Sequence, residues 1–314
     1  MKINKVPLLI LGLIITVFIG IYYFTQKSPI IPGSGVTDLP ITPSQAAINI
    51  LVLGIGGGSH QSPDLTDTII FTSLSIKANT ITTVSIPRDV WIPKLSAKIN
   101  SAYHSGGLSL AKSVVAEFVG QSIHYALVLD FSTFVKAIDQ LGGIDVDVEN
   151  TFTDGQYPIA GRENDLCEGD PTYACRYEQI TFTKGDTHMN GEAALKFVRS
   201  RHSADPVEGT DFARSKRQSK VITAFQKKLL SSPKSFSALY NLASTSIKTD
   251  IPKSQILPLS NFLFQNRQNS IRSYAVSEPE HLYHPLNMRP YSGQWVLVPN
   301  SPDSITKYIS SILK

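Results

Sequence analysis

Apolar residues form one long uninterrupted run near the start of the chain. Residues 6–24 carry no charged side chain and consist mostly of Leu, Ile, Val and Phe. At the rise of an α-helix these 19 residues span roughly 28 Å, close to the hydrocarbon thickness of a bilayer. The run ends in an aromatic cluster, Tyr22-Tyr23-Phe24, which is typical of a membrane interface. The pattern predicts a single uncleaved transmembrane helix, with a cleaved signal peptide as the alternative.

Charges on either side of residues 6–24 predict how this segment is oriented. Two lysines and the amino terminus precede it, and only Lys27 follows closely. Because positive charge is retained on the cytoplasmic side, residues 1–5 are expected in the cytoplasm and everything after Lys27 outside the cell membrane. Residues 25–46 are rich in Pro, Gly, Ser and Thr, lack a helical or strand period, and are predicted to form an extended linker.

Shorter apolar runs of two kinds fill the rest of the chain. Predicted strands are rich in β-branched and other apolar residues and lie at 48–53, 68–76, 81–86, 125–129, 144–148, 271–276 and 295–298. Predicted helices have apolar residues at helical spacing and lie at 108–119, 131–141, 254–264 and 302–313, with two more capped by Asn190 and Asp211. No linker divides this part. Residues 47–314 are therefore predicted to form a single layered α-β-α domain with a central mixed sheet.

Composition limits the classes of function. The chain has 314 residues, of which 42% are hydrophobic, enough for the core of one large domain or of two small ones. A net charge of +4 over this length is too small to indicate nucleic-acid binding, so no nucleic-acid partner is expected. Cys167 and Cys175 are the only cysteines and lie eight positions apart in a polar segment. Outside the membrane such a pair predicts a loop-closing disulfide, ahead of free thiols and of a metal site.

A dense group of basic residues is the strongest chemical signal in the sequence. Arg199 and Arg201 are separated by one residue, so they would point the same way in an extended segment. Arg214, Arg217 and Gln218 have i, i+3, i+4 spacing and share one face of a helix. Guanidinium groups bind phosphate oxygens bidentately and keep their charge. The group therefore predicts a phosphate or diphosphate site, and a solvated basic face is the alternative.

A further arginine is expected at the end of a strand. Arg88 and Asp89 follow the predicted strand at 81–86, and open α/β sheets bind ligands at such strand ends. Adjacent residues rarely face each other, so Arg88 and Asp89 are expected to have separate partners. Lys98 lies just downstream, where a ligand contact and a plain loop before a helix both fit the sequence.

A glycine-rich turn follows the first predicted strand. Residues 54–58 lack the Gly-Lys-Ser/Thr ending of a P-loop. A dinucleotide-binding turn requires a helix directly after the glycines, and no helix is predicted there. His60, Asp64 and Asp67 come next and are the best group of metal-ligating side chains in the chain. Because Asp often begins turns and caps, ligand and structural roles both fit these residues.

Taken in order, these segments resemble the motifs of the LytR-CpsA-Psr family. The resemblance covers residues 48–225 by motif, and the order of the motifs and the membrane anchor match as well. The segments that carry it are Leu53-Gly54, Leu65-Thr66-Asp67-Thr68, Ser85-Ile86-Pro87-Arg88-Asp89, Lys98 to Tyr103 with Gly106-Gly107, Leu141 to Val146, and Arg199 to Gln218.

The resemblance implies an anchored cell-envelope phosphotransferase. Such proteins take a glycopolymer from a polyprenyl diphosphate carrier and attach it to peptidoglycan through a phosphodiester. The carrier's lipid tail would lie in an apolar tunnel between sheet and helices. The residues implied to hold the diphosphate are Arg88, Arg199, Arg201 and Arg214. Lys98, Arg217 and Gln218 are also expected to contact the diphosphate. Asp67 is implied to help bind Mg²⁺ (or Mn²⁺).

One position departs from the family pattern. An aspartate normally stands two residues after the glycine of the first motif, and this chain has Gly56 there. Losing one carboxylate weakens the cation site or moves its ligands, since Mg²⁺ requires oxygen donors in a near-octahedral array. His60 and Asp64 lie in the same turn and are the candidate replacements.

The expected reaction is phosphoryl transfer to a sugar hydroxyl. The arginines and the cation would neutralise the diphosphate, and Asp67 or Asp89 would take the hydroxyl proton. No Ser or Cys has a base partner at motif spacing, so a covalent intermediate is not expected. The alternatives are a polyprenyl-phosphate-binding module without transferase activity, a lipid-diphosphate pyrophosphatase, and a DNA-binding regulator. The anchor and the lack of a helix-turn-helix pattern disfavour the regulator.

Overall fold

The structure is a computed structural model that describes residues 47–57, 63–162, 164–231, 245–266 and 271–313, together with Leu239 and Leu242. Within these residues, no helix combines the length and the apolar character needed to cross a bilayer. The predicted anchor, the tail before it, the linker after it and His60 lie outside the described residues.

Strands are more numerous than helices in the described part of the chain and often follow one another directly. In chain order the described strands are β1 (Ala47–Ile55), β2 (Thr66–Ser75), β3 (Thr80–Ile86), β4 (Trp91–Ile92), β5 (Ala97–Lys98), β6 (Tyr125–Asp130), β7 (Ile144–Val148), β8 (Phe152–Pro158), β9 (Tyr177–Phe182), β10 (Gly185–Met189), β11 (Lys248–Thr249), β12 (Arg272–Ala275), β13 (Leu282–Tyr283) and β14 (Val298–Pro299). The described helices are α1 (Ser101–Val119), α2 (Phe131–Gln140), α3 (Gly191–Arg199), α4 (Asp211–Ser231), α5 (Lys253–Gln265) and α6 (Ser304–Ile312).

Six of these strands form one mixed sheet, in the order β11-β6-β1-β2-β3-β12. Strands β1, β2 and β3 are successive antiparallel neighbours, whereas β6 runs parallel to β1 and β12 runs parallel to β3. Strand β11 is antiparallel to β6. The predicted central mixed sheet is confirmed, and its topology brings the carboxyl ends of β1, β3 and β6 to the same edge.

Both faces of the sheet are buried because side chains alternate along each strand. On β1, Leu51 and Leu53 belong to the cluster that contains α1 and α6, whereas Ile50 and Val52 belong to the cluster that contains α5. Strands covered on both faces have nearly continuous apolar sequences. That property made β1, β2 and β3 predictable, and helices on both faces of the sheet are confirmed.

A separate apolar cluster joins α2, α3 and α4 to two antiparallel ribbons, β7 with β10 and β8 with β9. Phe182 contacts Phe152 and Phe197 within it, with ring centroids 5.4 Å and 5.0 Å apart. Buried and exposed residues alternate along β7, as predicted for an exposed or edge strand. The sequence did not predict β8, β9 and β10 because these strands are short and largely polar.

The first helix begins earlier than the sequence predicts. Helix α1 begins at Ser101, whereas its apolar period is recognisable only from residue 108. Gly106 and Gly107 have non-helical dihedral angles, so the helix is kinked there. The residues before this kink are mostly small or polar, which is why they carry no helical period in the sequence.

The two predicted helix caps have different outcomes. Asn190 caps α3 as predicted, since its Oδ1 accepts a 2.9 Å hydrogen bond from the Ala193 N–H. The cap of α4 is Thr210 and not Asp211, because the Ala213 N–H donates to Thr210 Oγ1 at 3.1 Å. Asp211 is the first residue of that helix.

A disulfide closes the loop between β8 and β9. The Cα atoms of Cys167 and Cys175 lie 5.5 Å apart, and their Sγ atoms are bonded. The loop is also tied by hydrogen bonds, for example from Arg176 Nε to the Asp165 carbonyl oxygen at 2.7 Å. The pairing agrees with the disulfide that the sequence predicts.

Candidate active site

Several candidate residues meet at one edge of the central sheet. Ile55 at the end of β1 is in register with Asp130 at the end of β6 and with Thr66 at the start of β2. Ile86 at the end of β3 is in register with Ile69 of β2. Arg88 and Asp67 therefore lie at the edge where β1, β3 and β6 end, which is where sheets of this kind bind ligands.

Four charged side chains form a continuous network at this edge. The Arg88 guanidinium donates to the Asp67 carboxylate, and its Nε lies 3.6 Å from Asp89 Oδ2. Lys98 Nζ donates to Asp89 Oδ1 at 2.7 Å. Arg88 and Asp89 thus have separate main partners, as predicted, with a weaker contact between them.

The electrostatics of the network favour the charged form of Arg88. Burial would by itself lower the pKa of the Arg88 guanidinium. The nearby Asp67 and Asp89 carboxylates outweigh burial and raise that pKa above its usual value. Arg88 still exposes about half of its side chain, so an anion can reach a guanidinium that is already oriented.

The backbone of the Arg88 segment is held by distant parts of the chain. The Asn100 N–H donates to the Arg88 carbonyl oxygen at 3.3 Å, and the Thr66 N–H donates to the Asn100 carbonyl oxygen at 3.1 Å. The Leu297 N–H donates to the Asp89 carbonyl oxygen at 3.0 Å. The carboxy-terminal segment therefore belongs to this site. Sequence reasoning missed it, because no local pattern reveals a contact across two hundred residues.

A buried carboxylate organises the segment that follows α3. Asp154 Oδ2 accepts from the Ser200 hydroxyl at 2.7 Å and from the Arg201 and His202 N–H groups at 3.0 and 3.1 Å. Burial would raise the pKa of Asp154, but these hydrogen bonds and one from the Gln156 N–H outweigh burial and lower it. Asp154 thereby fixes the backbone between the first two arginines of the basic group. Sequence reasoning missed it because a single Asp in a polar segment gives no distinguishing signal.

Arg199 lies close to the end of β6. Its guanidinium carbon is 4.7 Å from the ring centroid of Phe131, the residue that follows β6, and 5.9 Å from that of Tyr157. Arg199 is the last residue of α3, so the extended segment expected to align it with Arg201 is not present. Arg201 is exposed, and its Nε donates to His202 Nε2 at 3.3 Å.

Arg217 and Gln218 face the protein interior. Arg217 Nη1 donates to Glu208 Oε2 at 2.6 Å, and its Nη2 donates to the Ser200 carbonyl oxygen at 2.7 Å. Its guanidinium also lies 4.6 Å from the Phe152 ring centroid. Gln218 is buried as well. The helix face that carries Arg217 and Gln218 therefore packs against the protein interior. This corrects the expectation that Arg217 and Gln218 contact the diphosphate. Arg214, one turn earlier, is half-buried.

Most carboxylates at the sheet edge already have partners, as Asp130 does in capping α2. Asp67 keeps 37% of its side chain exposed beside Arg88. Gly56 offers only backbone atoms, and Asp64 is half-buried. Mg²⁺ is commonly bound through one or two carboxylates together with substrate phosphates. Asp67 would therefore supply one carboxylate ligand to such a cation.

One compact group of potential metal ligands occurs elsewhere among the described residues. Atoms of Asp165, Cys167 and Cys175 lie within 4.8 Å of one another. Both sulfurs are already joined in the disulfide, so the thiolates that a metal would require are not available.

Comparison with known proteins connects this geometry to a family. A polyisoprenyl-teichoic acid--peptidoglycan teichoic acid transferase TagU of Bacillus cereus is 29% identical over 233 residues, which cover 72% of this chain and 67% of that protein. The crystal structure of Bacillus subtilis TagV is 25% identical, with a TM-score of 0.54 over 85% of this chain and 97% of that one. Protein gbs0355 of Streptococcus agalactiae shares the fold at 24% identity, with a TM-score of 0.57 over 85% of this chain and 88% of that one. The sequence model of the LytR_cpsA_psr family matches residues 25–300, and the chain therefore belongs to that family.

Proposed function

We propose that this protein is a phosphotransferase that moves a glycopolymer from a polyprenyl diphosphate carrier to peptidoglycan through a phosphodiester. The observation that carries the proposal is the network of Arg88, Lys98, Asp67 and Asp89 at the edge of the sheet. Arg88 and Lys98 supply positive charge for a diphosphate. Asp67 and Asp89 supply two carboxylates, one to bind a metal cation and one to accept a proton. The TagU relatives are named for the transfer of teichoic acid to peptidoglycan, a reaction of this class.

The diphosphate is the proposed ligand of the exposed arginines. Arg88 is oriented by two carboxylates, and Arg201 is exposed on a segment fixed by Asp154. Arg199 and Arg214 lie on the helices that flank this segment. Guanidinium groups suit a diphosphate because each can bind two oxygens and keeps its charge. Arg217 and Gln218 support the site by holding the residues around Ser200.

Asp89 is the proposed general base. The acceptor hydroxyl oxygen attacks the phosphorus that carries the glycopolymer, and the bond from that phosphorus to the bridging oxygen of the diphosphate breaks. Polyprenyl phosphate leaves with the bridging oxygen, and the hydroxyl proton passes to the Asp89 carboxylate. Lys98 holds that carboxylate in position at 2.7 Å.

Asp67 is the proposed ligand for Mg²⁺ (or Mn²⁺), and its partly exposed carboxylate supports this role. Such a cation, when bound with the donor, would neutralise charge on the diphosphate. A carboxylate bound to a cation is a poor base, so Asp89 is assigned the proton. His60 and Asp64 stay candidate additional ligands.

The protein is proposed to act at the outer side of the cell membrane. Residues 6–24 supply the anchor in this proposal, with the amino terminus in the cytoplasm and the remaining domain extracytoplasmic. The disulfide between Cys167 and Cys175 supports an oxidising compartment. The polyprenyl carrier is itself a membrane lipid, so the anchor would keep the site close to its donor.

A binding module without transferase activity is the second candidate, and Gly56 is the observation that favours it. With one family carboxylate absent, the site keeps the arginines needed for binding and has fewer ligands for a cation. A pyrophosphatase would use the same residues with water as the acceptor. The three activities are distinguished by their products: a phosphodiester to peptidoglycan, no product, or free sugar phosphate.

The proposal is tested with the full-length protein in detergent. It is given a polyprenyl-diphosphate oligosaccharide, Mg²⁺ and a soluble peptidoglycan fragment, and products are identified by mass spectrometry. A phosphodiester between the two sugars is expected, with strong loss of product in Arg201→Ala. Arg272→Ala is the matched control, because Arg272 is exposed on β12 and pairs with Thr82, away from the edge. Equal activity in both variants would contradict the proposed site.

A further inference from the structure

Aromatic side chains are exposed next to the proposed active site. Trp295 exposes 48% of its surface and Tyr283 exposes 45%. The His284 ring stacks on Trp295, with centroids 5.0 Å apart and an interplanar angle of 20°. We call the stacked pair His284 and Trp295 the Trp295 platform; Tyr283 is the exposed residue directly before His284. Large aromatic groups exposed together are typical of recognition surfaces.

Hydrogen bonds hold the Trp295 platform in one arrangement. His284 Nδ1 lies 3.0 Å from the Val296 carbonyl oxygen, and the His284 N–H donates to Glu278 Oε1 at 3.1 Å. Tyr283 is in register with Val298 in the ribbon of β13 and β14. The platform is therefore ordered before any ligand binds, which reduces the entropy lost on binding.

The backbone connects the Trp295 platform directly to the proposed base. The Leu297 N–H donates to the Asp89 carbonyl oxygen at 3.0 Å, and the Trp91 N–H donates to the Leu297 carbonyl oxygen at 2.9 Å. Trp295 is two residues before Leu297, a distance of at most about 7 Å along the chain. A molecule stacked on Trp295 would therefore lie near the segment that carries Asp89, where the acceptor hydroxyl must arrive.

The charge of this surface indicates which substrate it suits. The stretch 281–295 contains Arg289 as its only Asp, Glu, Lys or Arg residue, and the Glu278 carboxylate just before it accepts a hydrogen bond from the His284 N–H. An anionic glycopolymer is drawn instead to the cations around Arg88 and Lys98. A neutral pyranose has an apolar C–H face that stacks on indole and imidazole rings, and its hydroxyl groups stay in water.

We infer that the Trp295 platform binds the acceptor, an uncharged stretch of the N-acetylhexosamine backbone of peptidoglycan. This inference rests on the proposed transferase function and names its acceptor subsite. The platform would orient one sugar so that the hydroxyl of a neighbouring sugar reaches Asp89. Trp295 is then a specificity-determining residue that does not touch the reacting atoms.

The test measures sugar binding alone, with the full-length protein in detergent and a soluble N-acetylglucosamine oligomer as the probe. The chain has two tryptophans, and Trp91 is buried, so a change in tryptophan fluorescence reports mainly on Trp295. Calorimetry gives the affinities of the variants. Trp295→Ala is expected to weaken binding about tenfold or more, because it removes the ring on which the sugar stacks. Trp295→Phe is expected to weaken binding less, because a smaller aromatic ring remains.

Leu286→Ala is the matched control, because Leu286 is 99% exposed on the same loop and is not aromatic. It is expected to keep the affinity of the unchanged protein. The inference is overturned if the oligomer does not bind, if Leu286→Ala weakens binding as much as Trp295→Ala, or if neutral phospholipid vesicles shift the fluorescence while the oligomer does not. This binding experiment needs neither donor nor turnover. If the oligomer binds here but the transfer assay gives no product, only the proposed function is contradicted.

Discussion

At the scale of single side chains, Arg88 joins the two carboxylates to which the proposed reaction assigns different roles. It donates to Asp67 and lies 3.6 Å from Asp89, which is held in turn by Lys98. A diphosphate that binds the Arg88 guanidinium would compete with both carboxylates for it. Donor binding would thereby release Asp67 toward a cation and leave Asp89 with Lys98. In the proposed reaction, the network would couple donor binding to the preparation of the base.

We predict that Asp89→Asn lowers kcat by about 10²–10⁴, the usual contribution of a general base. Donor affinity should change little, because the arginines are retained. The measurement is steady-state transfer together with direct binding of a polyprenyl diphosphate. Asp67→Asn should instead raise the concentration of Mg²⁺ required. The assignment of the base is contradicted if Asp89→Asn keeps full turnover.

We predict that Asp154→Asn destabilises the fold by about 1–3 kcal/mol or more. Asp154 is buried and accepts from one hydroxyl and three N–H groups, and an amide nitrogen in place of one oxygen cannot accept these bonds. Urea unfolding measures the change. Asp186→Asn is the control, since Asp186 is an exposed aspartate on β10.

The stabilisation by Asp154 should also depend on pH. Its folded-state pKa is lowered, so the contribution is fully present above the unfolded-state pKa of about 3.9 and is lost as pH falls through the folded value. The difference in unfolding free energy between the unchanged protein and Asp154→Asn should therefore shrink on acidification through this range. A difference that stays constant below pH 4 or so would contradict the hydrogen-bonded carboxylate.

At the scale of elements, Arg217 docks α4 onto α3 and the turn before α4. It bonds to the carbonyl oxygens of Phe197 and Ser200 and to the Glu208 carboxylate. We predict that Arg217→Ala lowers the free energy of unfolding by about 3–5 kcal/mol, because it leaves the buried Glu208 carboxylate without its cation and with only the hydrogen bond from Asn150. Lys216→Ala, next to it but half exposed, should change stability little. Equal effects of the two variants in urea unfolding would contradict the structural role of Arg217.

The loop between β8 and β9 depends on its disulfide. We predict that replacing both Cys167 and Cys175 by Ser lowers stability by about 2–3 kcal/mol, as expected for a short closed loop. In the native, unreduced protein, a thiol reagent should label neither cysteine, whereas the single variant Cys167→Ser should gain one reactive thiol. Two reactive thiols in the unchanged protein would contradict the disulfide.

Local patterns explain which elements the sequence could predict. Strands β1 to β3 are long apolar runs, and Asn190 lies directly before the apolar period of α3, so both were visible in the sequence. Strand β10 has the sequence Gly-Asp-Thr-His-Met and depends on pairing with β7, which no local pattern encodes. Arg88 could be placed at a strand end. The inward turn of Arg217 could not be seen, because it depends on Glu208 and on carbonyl groups of α3.

At the scale of the whole molecule, the sheet edge sets the spacing of the proposed donor site. Phe131 follows β6 and Arg88 follows β3, with β1 and β2 between them. Three strand spacings separate these ends by about 14 Å. Arg199, beside Phe131, and Arg88 therefore stand on two sides of a span that suits a diphosphate with its first sugar. The segment that carries Trp295 joins this edge through the hydrogen bonds of Leu297 with Asp89 and Trp91.

The most direct test of the central claim is the stoichiometry of the products in a single turnover by the full-length protein. A polyprenyl-diphosphate oligosaccharide labelled in both phosphates is mixed with Mg²⁺ and a peptidoglycan fragment. One polyprenyl monophosphate should form for each phosphodiester between oligosaccharide and peptidoglycan, and Asp89→Asn should lose both together. Release of polyprenyl monophosphate with free oligosaccharide phosphate, or tight donor binding with no product, would contradict the transferase.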